Sequence, residues 1–149
     1  MPTMLRALLG LALMAMAPLA LADNSEGSLK FGDHVVHFSA LPTDFLSEEI
    51  ATQYAIERSP NRGMLNISVN KDLGGGATEA VSARITGEAS NLSGQNIPIE
   101  IREIPGSYVS YVGLFDIVPP DTYTFTISVF PEDATVPLTL RFNKNFAGQ

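Results

Sequence analysis

Val118-Pro119-Pro120-Asp121-Thr122-Tyr123-Thr124-Phe125-Thr126-Ile127-Ser128-Val129 is the stretch on which the reading of the fold turns. Two prolines and an aspartate open it, residues whose fixed φ and short polar side chain suit a turn. From there every second residue is large and apolar: Tyr123, Phe125, Ile127 and Val129 alternate with Thr122, Thr124, Thr126 and Ser128. A period of two puts one set on each face of an extended chain, so the segment reads as a strand with a single buried face.

The same period recurs on both sides of this strand. Leu65, Ile67 and Val69 alternate with polar residues, as do Val81, Ala83 and Ile85, then Ile97, Ile99 and Ile101, and finally Val136, Leu138, Leu140 and Phe142. Turn chemistry bounds each run: Gly74-Gly75-Gly76, the segment Asn91 to Asn96, Pro105-Gly106 and Pro131-Glu132-Asp133. Asp33 to Leu41 reads as an opening strand. Tyr108 to Val118 is apolar on both faces, as expected of a central strand or of one covered by a partner. One short helix is expected after the first strand, with Ser47 as its cap, Glu48 and Glu49 at its positive end, and an apolar stripe of Ile50, Ala51 and Tyr54. About seven strands and one short helix define an all-β chain, an antiparallel β-sandwich. The proline turn feeding Tyr123 resembles the tyrosine corner, in which the hydroxyl bonds back to the backbone just upstream, and this favours an immunoglobulin-like version. A closed barrel is the alternative; Pro98 and Pro137 argue for open edges instead.

The start of the chain carries a different signal. Arg6 precedes an apolar run from Ala7 to Ala17, Pro18 breaks it, and Ala20-Leu21-Ala22 ends with small residues at a cleavage position. Residues 1–22 are expected to be a cleavable secretory signal peptide, too short in its apolar part to span a bilayer, and residues 23–149 a single domain. With no cysteine there is neither a lipid-bearing lipobox nor a disulfide, and no twin arginine precedes the run. The expected location is the periplasm, or outside the cell, with no membrane insertion after cleavage.

Of 9 basic and 16 acidic side chains, cleavage removes only Arg6, so the formal charge of −7 becomes −8. A chain so acidic, with scattered lysines and arginines, is a poor partner for nucleic acid. Catalytic patterns are equally sparse. His34 and His37, the only histidines, fall on opposite faces of a strand and so cannot share a metal; both are expected to be ordinary surface residues. Asp33 and His37 share a face but sit about 13 Å apart. There is no Gly-x-Ser-x-Gly elbow, and the triglycine lacks the Lys-Ser or Lys-Thr of a phosphate loop. Asp116, Asp121, Glu132 and Asp133 would bind calcium only if their loops converge. No catalytic residue, metal or cofactor is therefore assigned.

One polar loop is unusual. Glu57-Arg58-Ser59-Pro60-Asn61-Arg62-Gly63 carries two arginines in an acidic chain, with Pro60 fixing its course and Gly63 allowing a tight exit. The guanidiniums either grip a carboxylate on a partner or pair internally with Glu57, Glu100 or Glu103. With Gln95 and Arg102 added, Arg58, Asn61 and Arg62 form the candidate partner-binding set. The longer stretch from Tyr54 to Val69 resembles the signature of a family of small exported proteins of Gram-negative bacteria, known only as a domain of unknown function. Phe31-Gly32-Asp33, Gly87, Asn91 to Gln95 and Glu100 to Ile104 resemble it too, so the likeness covers most of residues 30–115. It implies a periplasmic domain and supplies no activity.

These readings converge on a non-enzymatic module that binds a protein or another envelope component. The rival is a small-ligand or calcium-binding domain, with or without an enzymatic site; a third possibility is an assembly factor that lends a sheet edge to a client strand.

Overall fold

A computed structural model describes residues 26–104, 106 and 109–148. The expected signal peptide, and Tyr108 at the head of the doubly apolar run, lie outside the described residues.

Period-two patterning produces strands as expected, but nine of them among the described residues: β1 (Glu26–Phe31), β2 (His34–Pro42), β3 (Arg62–Gly74), β4 (Ala77–Ala80), β5 (Ala83–Asn91), β6 (Asn96–Ile104), β7 (Ser110–Asp116), β8 (Asp121–Pro131) and β9 (Leu138–Phe146). A 3-10 turn (Thr43–Phe45) and helix α1 (Glu48–Gln53) fill the connection from β2 to β3. Two of the strands do not show the alternation. Glu26–Phe31 pairs with β2 through the two-residue turn Gly32-Asp33, so the helix follows the second strand and Asp33 sits in a turn. Ala77–Ala80 folds back on β3 across the triglycine, whose three residues all take positive φ.

All pairings are antiparallel, in the order β1-β2-β3-β7-β6-β5-β8-β9, with β4 also on β3. The sheet is continuous because β6 serves both halves. Its first residues pair with β5 (Ser90↔Asn96 to Gly87↔Ile99), its last with β7 (Glu100↔Leu114 to Ile104↔Ser110). Each half of β6 therefore has a partner on one side only, and Pro98, with no N–H to give, falls in the half paired with β5. The nine-stranded sheet thus curls toward a barrel, with two strands more than the seven expected.

The enclosed core is what the alternation anticipates: Val36, Leu65, Ile67, Val69, Phe125, Ile127, Val129, Leu140 and Phe142 are all buried. Aromatic rings bridge the two halves, with Phe38 of β2 4.5 Å from Phe142 of β9 and Phe115 of β7 5.2 Å from Phe125 of β8. Val136 departs from the pattern. It precedes β9 and is 62% exposed, because the β8–β9 connection runs to Pro137 before the strand begins.

The doubly apolar run has an internal explanation. Tyr111, Phe115 and Ile117 join the main core, while Val112 and Leu114 face outward under a second apolar cluster with Leu41, Leu46, Tyr54, Ile56, Met64 and Ile104. The cover over β7 is the chain's own β2–β3 connection. Ser47 caps α1 as expected, its hydroxyl accepting from the Ile50 N–H at 3.2 Å, but Ile50 itself points toward solvent and Ala51 alone of the helix is buried. Ala55 ends the helix at φ 54°, and the Ile56 N–H returns to the Ala51 carbonyl at 2.8 Å.

Candidate functional site

The sequence-derived site loop lies at the end of the sheet where β2 and β7 finish and β3 and β8 begin. Thr43, fully buried, positions it: its hydroxyl donates to the Glu57 carbonyl at 2.8 Å and accepts the Ser59 N–H at 2.9 Å. The Asn61 carbonyl then accepts the Ile117 N–H at 2.9 Å, tying the loop to the chain leaving β7. Nothing in the alternation singles out Thr43, because its partners are backbone groups 14 and 16 residues away.

Gly63 owes its identity to packing. It lies in β3 opposite Phe115, and a side chain there would collide with the Phe115 ring. The tight exit expected of it is not the reason.

Across from this loop, the tyrosine-corner hydrogen bond forms: the Tyr123 hydroxyl accepts the Val118 N–H at 3.2 Å. This holds the Pro119-Pro120 turn over the end of the core, with Tyr123 buried against Phe146 at 5.6 Å. Between the turn and the loop lies a cleft of about 430 Å³ lined by Pro42, Phe45, Pro60, Pro119, Pro120 and Asn61, with Asp44, Ala147 and Gly148 completing its wall. Phe45 is 74% exposed and Val118, next to Pro119, 77%. Alternation does not group these prolines, because Pro42 and Pro60 bracket the β2–β3 connection while Pro119 and Pro120 lie in the β7–β8 connection, far off in sequence.

Of the candidate set, Asn61 lines the cleft. Arg58 and Arg62 flank it with their guanidiniums held: Arg58 donates to the Asp44 carbonyl at 3.1 Å and lies 3.7 Å from Glu48, and Arg62 pairs with Asp116 at 3.3 Å. These partners differ from the expected Glu57, Glu100 and Glu103. Gln95 sits at the same end but in the β5–β6 turn, beside Asn91 at 3.3 Å. Arg102 is elsewhere, opposite Val112 on β7, where it donates to the Tyr54 carbonyl at 2.7 Å and closes the end of α1.

The four acids offered for calcium do not converge. Asp121 begins β8 and Glu132 and Asp133 follow its far end, so the two groups stand a full strand apart. Among the described residues, no group of three or more metal-binding side chains is assembled.

The histidines require a correction. His37 is exposed, as expected, but His34 is buried, on the inward row of β2 with Val36, Phe38 and Ala40. Its Nδ1 lies 3.0 Å from Asp33 Oδ1 and its Nε2 2.7 Å from Asp133 Oδ1. Strand parity places the two histidines on opposite faces correctly; it could not show that the β8–β9 connection comes back over one of them.

The chain is therefore an all-β antiparallel domain with a preformed cleft at one end of its sheet. It belongs to the family described as "Domain of unknown function (DUF4426)", which matches residues 28–147. A crystal structure of a protein of that family, PA0388 from Pseudomonas aeruginosa PAO1, is similar, with a TM-score of 0.70 at 28% sequence identity, covering 84% of this chain and 97% of that one. No curated protein matches. Among the described residues no helix is long and apolar enough to cross a membrane.

Proposed function

We propose that this chain is an exported, non-enzymatic binding module that grips an extended segment of a protein or other envelope component in the proline-lined cleft. The observation that carries this reading is Phe45, a large apolar side chain left mostly in solvent beside a concavity walled by four prolines. Rigid apolar walls lose little conformational entropy when an occupant arrives, and exposed apolar surface beside a cleft gains most from being covered. Asn61 supplies a polar group to orient the occupant, and Arg58 and Arg62 border it with charge.

The leader-like residues 1–22 support export, and the periplasm is the compartment we assign. The tyrosine corner supports a kinship with immunoglobulin-like sandwiches. For the absence of catalysis, the support is His34: both ring nitrogens face carboxylates, which leaves neither to activate a nucleophile. The doubly apolar β7 lends no support, since the chain covers it.

The test is selection of a displayed random-peptide library on the purified domain. Selected peptides should lose about tenfold or more in affinity with Phe45→Ala and Asn61→Ala. They should bind Glu88→Ala, altered on the far half of the sheet, as they bind the unaltered chain. Binders indifferent to both cleft substitutions would overturn the reading. The cleft volume also suits a small molecule; a thermal shift with a metabolite panel that vanishes in Phe45→Ala, without any peptide binder, would favour that alternative.

A further inference from the structure

β9 ends the sheet. It pairs with β8 from Val129↔Leu138 to Asp121↔Phe146, and among the described residues no strand pairs with its other side. An antiparallel strand turns the N–H and C=O groups of alternate residues away from its neighbour, so this side carries a row of backbone groups ready for a further strand. The other open edges are short. β1 has six residues, β4 four, and each half of β6 no more than five, whereas β9 runs nine residues without a proline. Ala147 and Gly148 follow it directly and wall the proline-lined cleft, with Gly148 against the Pro120 ring. Edge and cleft form one continuous track.

The track is charged differently from the rest of the chain. From Ala134 to Gln149 there is no acidic residue, and the only charged side chains are Arg141 and Lys144, in a sequence with 16 acids and 9 bases. Elsewhere the cations are held: Lys30 by Asp72, Arg58 by Glu48, Arg62 by Asp116, Lys71 by Asp133 and Asp33, and Arg102 by the Tyr54 carbonyl. Arg84 lies over the Phe130 ring. Among the described residues neither Arg141 nor Lys144 has a carboxylate partner, and Lys144 rests 5.8 Å from the Phe146 ring. Being three apart, the two stand on opposite faces of β9. Arg141 points outward with Thr139 and Asn143; Lys144 is half-buried on the row of Leu140, Phe142 and Phe146.

We propose that β9 receives the extended occupant of the cleft as an added strand: its backbone pairs with the open edge, its acidic side chains meet Arg141 and Lys144, and one end enters the cleft. This rests on the cleft reading given above and names the class of partner, an acidic segment of another protein. An inward lysine on an edge strand discourages indiscriminate pairing, because an added strand without a carboxylate leaves that ammonium covered and unpaired. A second copy of this chain is disfavoured on the same ground. β9 beside β9 sets the cations of both copies along one seam with no carboxylate between them. The preferred segment carries two acidic residues three apart, matching the two faces on which the cations stand.

Peptides from the library selection, resynthesised with backbone N-methyl groups, test this. Methylation of the alternate residues that face β9 should cost about tenfold or more in affinity, and methylation of the intervening residues should leave binding unchanged. Binding should also slow hydrogen exchange of those amides in 138–146 that exchange freely in the unbound chain. Arg141→Glu with Lys144→Glu should weaken acidic peptides about tenfold and favour counterparts in which lysine replaces each acid. Should that variant fail to fold, the N-methyl series decides, since it uses the unaltered chain. Binders lost in Phe45→Ala whose methylation shows no alternation, and which leave the β9 amides unprotected, overturn strand addition while the cleft reading stands. Binders that show the alternation yet ignore Phe45→Ala overturn the cleft and leave the added strand. Protection of the β9 edge without peptide, rising with protein concentration, would make a second copy the occupant and overturn the proposal.

Discussion

Where β8 begins, Phe115, Tyr123 and Phe146 close the core with ring centroids 5.6 to 6.5 Å apart; where it finishes, Asp33, His34, Lys71 and Asp133 close it with charges. The two closures obey different physics. Aromatic burial is indifferent to protonation and little affected by moderate salt, so the cleft built on that end is a fixed surface. An ionic ring at the rim of the core depends on ionic strength and, through its carboxylates, on acid.

If this contrast is right, damage at the aromatic end should be global and large. Phe115→Ala removes a ring that touches Phe125, Tyr123 and Phe146 and leaves a void beside Gly63. It should cost about 3–5 kcal/mol of unfolding free energy in urea, the usual range for a buried phenylalanine cut to alanine. A loss below about 1 kcal/mol would mean that this end is loosely packed and that the contrast fails.

Tyr123→Phe sharpens the same point with a smaller effect. The ring stays and only the acceptor for the Val118 N–H is lost, which should cost about 1 kcal/mol. The more telling readout is the cleft. Because the hydroxyl pins the chain just before Pro119-Pro120, peptides selected on the cleft should bind this variant more weakly, although the substitution lies in the core. Unchanged binding would show that the proline turn holds its place without the tyrosine.

How much of this could be read from the chain divides along the same line. The interior was legible, since Ile67, Phe125, Ile127 and Leu140 announce their burial by alternation alone, and so was the tyrosine corner, a contact spanning five residues. β1 was missed because Glu26 to Phe31 shows little alternation, and β4 because Ala77 to Ala80 is short and wholly exposed. The cleft and the ionic ring were out of reach for a shared reason. Each is assembled from connections whose meeting is set by how the sheet curls through β6, and a period of two specifies faces, not which loops converge. Asn61 was found because its loop is odd in composition. Lys71 and Asp133, 62 residues apart, each look like ordinary surface charge until the fold places them 2.8 Å from one another.

The smallest effect tests the ionic end from the acid side. The Lys71 ammonium first, and His34 second, hold the Asp133 carboxyl down from 3.8 to about 2. A carboxyl lowered in the folded state favours the fold while ionised, so its contribution is complete above about pH 4 and disappears as pH falls toward 2. The stability difference between the unaltered chain and Asp133→Asn should therefore be greatest near neutral pH and fade as pH falls through about 2. Because Asp133 and Lys71 are each about a third exposed, water screens the pair, and the difference should stay well below that of Phe115→Ala. Added sodium chloride should shrink it further and leave the Phe115→Ala loss unchanged. A difference independent of both pH and salt would mean that Asp133 acts through packing or turn geometry, and the two ends would then be closed by the same kind of force.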